Sequence, residues 1–333
     1  MPEAGGPILE AIELEKTFTS GGLFTKTSDG FKALNHVNLT IGRGEVVGLV
    51  GESGSGKTTF GRAITRLMDL DGGKVMFDGQ DLFEVPASKL RAKRREFQML
   101  FQNPASTLHP RMTVRQVLAE SLKLHRGLQG AELDAGIADL LEKVQLPTRA
   151  GAFPGELSGG QQRRIGVARM LAASPKFVVA DEPTSGLDAV LKADIIDLLL
   201  EVRDTGVAYL IISHDLNVIQ RACDRVAVMY RGRIVERLPA VAIDDDFHHP
   251  YTRELFAAAA QLRGDKSKHA DIREASTEAP PKDGCAFLPR CTVAAANKGL
   301  ADSMCRSQVP ALVEVRPGRH IACHDFAGGQ QTV

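Results

Sequence analysis

The chain has 333 residues, enough to bury a full core as one large domain or two. Hydrophobic residues at 43% and charged residues at 25% fall in the ordinary range of soluble globular proteins, and the absence of Trp argues against an aromatic-caged binding surface. The 41 basic residues balance 41 acidic ones, so there is no global positive field to hold a nucleic-acid backbone.

No run approaches the roughly 18 to 20 apolar residues that cross a bilayer. The N-terminal stretch MPEAGGPILEAIELE lacks the basic and apolar parts of a signal peptide, so the chain is expected to stay in the cytoplasm.

Taken in chain order, an early strand ends near Phe18. Val46 to Val50 then reads as a buried strand, followed by a Gly-rich turn and a helix over Lys57 to Met68. Two antiparallel hairpins are expected, at Lys74 to Phe77 with an Asp78-Gly79 turn and at Val226 to Val235 across Arg231-Gly232. Strand signals vanish between Thr113 and Ala173, where helical periodicity predicts a helical subdomain, about 104–173, inserted into an α/β core. Phe177 to Ala180 and Ala208 to Ile212 read as buried strands around a helix over Val190 to Thr205, which makes the sheet largely parallel. Residues 261–283 are charged and Pro-bearing, as a linker or exposed wrap would be. Four of the five cysteines, Cys285, Cys291, Cys305 and Cys323, crowd into the stretch 284–333, while Cys223 stands apart. In a reducing compartment such a cluster points to metal more than to disulfides.

Gly51-Glu-Ser53-Gly54-Ser55-Gly56-Lys57-Thr58 fits the phosphate-binding pattern G-x-x-x-x-G-K-[ST] between a strand and a helix. The glycines let the backbone fold around an anion, and the N–H groups at the helix start, through Thr59, face the phosphates. Lys57 neutralises β and γ oxygens, and Thr58 supplies a hydroxyl for Mg²⁺. Asp181 and Glu182 follow a buried strand at the end where open α/β sheets bind ligands. Asp181 suits a Mg²⁺ ion held through its water shell, and Glu182 the activation of a water that attacks the γ-phosphate.

Between these motifs lies Leu157-Ser158-Gly159-Gly160-Gln161-Gln162-Arg163-Arg164, and with it the sequence resembles the nucleotide-binding domains of ABC ATPases. The resemblance implies a P-loop ABC domain over 1–260 and an ATPase. It also implies that Ser158, Gly159 and Gly160 serve the ATP held by a second ATPase subunit. Gln102, in Phe101-Gln102-Asn103-Pro104, matches the family's Q-loop, which touches Mg²⁺ or water. Asp188, in Ser185-Gly-Leu-Asp188, matches the D-loop, and His214 matches the switch histidine near the γ-phosphate. Phe18, with Phe31 as the alternative, is the candidate for stacking on adenine.

Three stretches narrow the resemblance to the oligopeptide/dipeptide (and nickel) importer ATPases: Gln102 to Val114, His249-Pro250-Tyr251-Thr252, and the tail with Cys285-x-Phe-x-x-Arg290-Cys291 and Ala322-Cys323. This implies import of a solute, di- or oligopeptide being the favoured class, at the cytoplasmic face of the membrane. The partners implied are two separate transmembrane permease subunits, an extracytoplasmic solute-binding protein and a second ATPase chain, a heterodimer being favoured over a homodimer. Leu108 to Met112 would be the surface that receives the permease. For the tail the resemblance favours a [4Fe-4S] cluster on the four cysteines of a small C-terminal domain, with Zn²⁺ as the alternative. Thirteen residues separate Cys291 from Cys305. The competing reading is a soluble ABC ATPase that remodels nucleic-acid or ribosome complexes, for which the usual second ATPase unit or long coiled coil is missing here.

Overall fold

The computed structural model describes residues 6–19, 30–101, 108–262 and 279–326. Strands β1 (Leu9–Phe18), β2 (Phe31–Ile41) and β3 (Val46–Val50) lead into helix α1 (Lys57–Ile64). Next come β4 (Gly72–Phe77), β5 (Gln80–Asp81), α2 (Ala87–Lys93) and β6 (Phe97–Leu100). Helices α3 (Val114–Arg126), α4 (Gly130–Lys143) and α5 (Gly159–Leu171) follow, and no strand interrupts the described residues from 108 to 176. The α/β pattern resumes with β7 (Phe177–Asp181), α6 (Ala189–Arg203), β8 (Ala208–Ile212), α7 (Leu216–Ala222), β9 (Arg225–Tyr230) and β10 (Arg233–Pro239). After α8 (Pro250–Leu262) the tail adds two short helices, α9 (Thr292–Ala296) and α10 (Lys298–Leu300), and strands β11 (Val313–Arg316) and β12 (Arg319–Ile321).

The strands form two sheets. A small antiparallel one runs β2-β1-β4-β5, and a large one runs β11-β12-β10-β9-β3-β8-β7-β6. Within the large sheet, β9, β3, β8, β7 and β6 are parallel, and β10, β12 and β11 extend it in antiparallel fashion.

The parallel strands are apolar on both faces because both are covered. Val46 and Val50 of β3 point into the core shared with the helices, while Val47 and Leu49 point into the core beneath the small sheet. Val178 and Ala180 of β7 alternate with Phe177 and Val179 in the same way. Each such fully buried aliphatic side chain contributes about 1.5–3 kcal/mol relative to exposure.

Both expected hairpins form, and each turns on a pair of left-handed residues: Asp78 (φ 50°) with Gly79 (φ 78°), and Arg231 (φ 44°) with Gly232 (φ 78°). Positive φ at both central residues matches the right-handed twist of the flanking strands. Helix α1 is shorter than its apolar periodicity suggests. It ends at Ile64 rather than Met68, because Thr65 closes the last turn and Arg66 turns left-handed (φ 46°). Helix α8 runs through Leu262, into the start of the stretch read as linker. The tail packs against the large sheet: β12 pairs with β10, and Phe287, Cys291 and Ala294 join the core under the helices.

Candidate functional site

The site lies where the carboxyl ends of the neighbouring strands β3, β8 and β7 open toward the N-terminus of α1. Leaving β3, the chain passes through Gly51 (φ 150°), where an added Cβ would lie 2.2 Å from the carbonyl oxygen of Met229. Gly56 (φ 108°) caps α1, and a Cβ there would lie 2.3 Å from the carbonyl oxygen of Ala33. Both positions therefore demand glycine on backbone and steric grounds. The turn of the β9–β10 hairpin supports the loop from behind, Gly232 N–H donating to the Ser55 carbonyl at 2.8 Å.

No side chain caps the start of α1, which leaves its first-turn amides and the positive end of the helix dipole free for an anion. The Lys57 ammonium donates to the carbonyls of Gly51 and Glu52, both at 2.8 Å. Burial pulls its pKa down, against the attraction of Glu182, Asp181 and Glu52.

Thr58 Oγ1 donates to Asp181 Oδ1 at 3.3 Å. Burial raises the pKa of Asp181; the Thr58 hydroxyl lowers it, and the neighbouring Glu182 charge adds to the rise. Such a carboxylate, beside a hydroxyl and only partly offset by the charges of Arg62 and Lys57, fits a hard divalent cation with oxygen ligands. Glu182 has left-handed backbone (φ 49°), fixed by its N–H to the Ile212 carbonyl at 2.9 Å. Its Oε1 lies 2.8 Å from Nδ1 of His214, a side chain that is 70% exposed.

Together these groups border one open cleft of about 430 Å³, with Ser53, Gly54 and Thr59 on its loop side and Phe18 and Phe31 on the far side. The two phenylalanines are register partners across β1 and β2 and both are exposed. The structure thus brings both adenine candidates to the cleft.

Ser158, Gly159, Gly160 and Asp188 are not on this cleft. Ser158 caps α5, its Oγ accepting from the Gln161 N–H at 3.3 Å while Gln161 Oε1 accepts from the Ser158 N–H at 3.1 Å. Gly159 faces open space, and Gly160 lies against Leu191. Asp188 caps α6 through the N–H groups of Val190 and Leu191, both at 3.0 Å. Arg163 was singled out by no role in the sequence. It ties α5 to the loop after Glu182, donating to the carbonyls of Pro183, at 2.9 Å, and Ser185. Gln102 lies outside the described residues.

Cys285, Cys291, Cys305 and Cys323 do converge, around one apolar pocket that also touches His249 and His324. All four are free thiols whose pKa values burial pushes upward, Cys305 to about 11. The pocket is about 10 Å³, and among the described residues no three His, Cys, Asp or Glu side chains group as ligands of a metal ion would. The number of thiols fits a metal centre; their packing does not. Cys223 is buried against Gly48 of β3.

Residues 34–185 match the ABC transporter family, and residues 235–297 match the oligopeptide/dipeptide transporter C-terminal region. A putative peptide import ATP-binding protein of Brucella ovis is 42% identical over 300 residues, 88% of this chain and 91% of that protein. The chain belongs to the ATP-binding subunits of ABC transporters of the oligopeptide/dipeptide importer family.

Members of this family are ATPases that power transport, and this ABC subunit is one. The oligopeptide transport ATP-binding protein AppF of Bacillus subtilis is 37% identical over 96% of this chain and 98% of its own length. Among solved structures, the ATP-binding cassette MJ0796, a dimer bound to ADP and Pi, superposes with a TM-score of 0.62 at 29% identity, covering 70% of this chain and 98% of that one. In this ABC subunit no described helix is long and apolar enough to cross a membrane.

Proposed function

We infer that this ABC subunit hydrolyses MgATP in the cleft below α1 and couples that reaction to import of a di- or oligopeptide through a separate permease. The observation that carries the reading is the 2.8 Å contact between His214 and Glu182, held over an uncapped helix N-terminus beside the Thr58–Asp181 pair.

Here Lys57 and the amides from Gly54 to Thr59 bind and orient the phosphates, and Thr58 and Asp181 would hold Mg²⁺, which when bound would neutralise charge on the transferred phosphoryl group. Glu182 takes the proton of the attacking water, and His214 holds the Glu182 carboxylate in place. Phe18 or Phe31 stacks on the base. Gln102, by its match to the family's Q-loop, is assigned to the Mg²⁺ or its water.

Ser158, Gly159, Gly160 and Asp188 do not line the cleft, which supports a role toward the nucleotide of a second ATPase subunit. One chain then carries two half-sites. The match of residues 235–297 and the names of the relatives support peptide import, with the chain peripheral on the cytoplasmic face beside two permease subunits and a solute-binding protein. A heterodimer of ATPases is the favoured arrangement.

The test is Glu182→Gln in the assembled transporter: ATP binding persists while hydrolysis and peptide uptake stop. Near-normal turnover would remove Glu182 from its role as base.

For the tail, the [4Fe-4S] reading, with Zn²⁺ as the alternative, rests on the resemblance and on the number of thiols, against a packing that leaves no room for a cluster, and no step of ATP chemistry passes through them. About four irons and four sulfides per chain after oxygen-free purification would establish the cluster. Zinc or metal-free protein would remove it.

A further inference from the structure

The tail and the phosphate loop meet at a seam that neither the nucleotide motif nor the cysteine pattern accounts for. Arg290 ends a tight turn over Leu288–Arg290, its N–H bonded to the Phe287 carbonyl at 3.0 Å. Cys285 and Cys291 flank the same turn. From there the guanidinium reaches into the loop, with Nη1 lying 3.0 and 3.1 Å from the two carboxylate oxygens of Glu52. Nη2 donates to Glu254 of α8 at 3.0 Å. The Arg290 side chain is only 17% exposed and Glu254 8%.

Glu52 is also held by its backbone. Its N–H donates to the Tyr251 hydroxyl at 2.8 Å, and Tyr251 is fully buried against Tyr230 and Phe287, with ring centroids 4.5 and 5.6 Å away. The carbonyl of the same residue receives the Lys57 ammonium. A continuous path of contacts therefore runs from the cysteine-flanked turn through Glu52 to the lysine of the phosphate loop.

We propose that Arg290 is a positioning residue for the phosphate-binding loop, clamping Glu52 from behind so that tail packing and nucleotide binding stabilise each other. Arginine suits this task because its planar fork engages two carboxylates at once in fixed geometry; a lysine ammonium supplies the charge without the fork. Reciprocity follows from linkage: whatever the ordered tail adds to nucleotide affinity, bound nucleotide returns to the tail. The inference rests on the reading that nucleotide occupies this loop.

Removing the charge of Arg290 altogether would leave the buried Glu254 carboxylate uncompensated and loosen the tail for an unrelated reason. The variants are therefore Arg290→Lys, Glu52→Gln and the double variant, each made in the full chain. A fluorescent ATP analogue with Mg²⁺ reads affinity, and steady-state hydrolysis reads KM and kcat separately.

Each single variant is expected to weaken nucleotide binding about five- to tenfold, or about 1–1.4 kcal/mol. KM rises accordingly and kcat stays within about twofold. The double variant is expected to bind no worse than the weaker single, because both act through one contact. In metal-free protein with the native sequence, nucleotide should also slow alkylation of Cys285 and Cys291, and that protection should vanish in Glu52→Gln.

Additive losses would mean that Arg290 and Glu52 affect nucleotide binding independently, and unchanged affinity in both singles would mean that the clamp does nothing for the loop; either result overturns the proposal. Lys57→Ala separates it from the reading beneath it. If that variant loses nucleotide while the clamp variants keep it, the clamp fails and the site stands. If Lys57→Ala binds as the native protein does, nucleotide does not occupy this loop and both fall.

Discussion

The phosphate-loop cleft and the thiol pocket each gather reactive side chains from separate turns, yet they are opposite kinds of place. The cleft is open, about 430 Å³, and its groups are held in tension: a buried carboxylate at Asp181 with its pKa raised, a Lys57 ammonium with its pKa lowered, and helix amides without partners. The thiol pocket is about 10 Å³ and apolar, and burial keeps its cysteines protonated. Unsatisfied polarity with room beside it is a site prepared for a ligand. Convergent side chains without room form packing until something enters.

Hydrolysis should break at the cleft first. Glu182→Gln is expected to lower kcat by about 10²–10⁴, the range for losing a general base, with ATP affinity within a few-fold of native by equilibrium binding. The contrast sharpens at the thiols. In metal-free protein, Cys305 with its pKa pushed up to about 11 should alkylate at neutral pH about a hundredfold more slowly than a free cysteine. A rate equal to that of free cysteine would show the pocket to be open. Lys57→Ala removes a charge-assisted contact worth about 1.5–3 kcal/mol, so nucleotide affinity in a direct titration should fall about ten- to hundredfold.

Acid should act on the tail side. His249 is fully buried and its pKa is depressed to about 4, chiefly by burial, while the Glu236 charge pulls the other way. The unfolded chain takes up that proton near pH 6.5, so the stability tied to neutral His249 is whole above pH 6.5 and drains away as pH falls toward 4. The loss amounts to on the order of 3 kcal/mol. Urea denaturation at pH 7 and pH 4.5 should show that drop in the native chain and a smaller one in His249→Gln.

How much of this could be read beforehand follows from how local each feature is. The phosphate loop, the Asp181–Glu182 pair and both hairpins are written in consecutive residues, and all stand where expected. Strands β7 and β8 were legible because a run such as Phe177-Val-Val-Ala180, short and rich in β-branched residues, suits a strand buried on both faces. The end of α1 was not, since the apolar periodicity continues to Met68 while the backbone turns at Arg66. Pairing of β12 with β10 and the contact of Arg290 with Glu52 join residues far apart in the chain, which no local pattern encodes. Arg163 was invisible because its partners are backbone carbonyls. The cysteines showed their number but not the closeness of their packing.

On the proposed role of Glu182 as base, its left-handed backbone sets catalysis against thermal endurance at a single position. A non-glycine residue held there costs about 1 kcal/mol, and Glu182→Gly would relieve it where Glu182→Ala would not. The glycine variant should melt about 2–3 °C above the alanine variant, with both unable to hydrolyse ATP. Any screen that rewards heat tolerance without demanding turnover would therefore drift toward glycine at this site and erase the reaction.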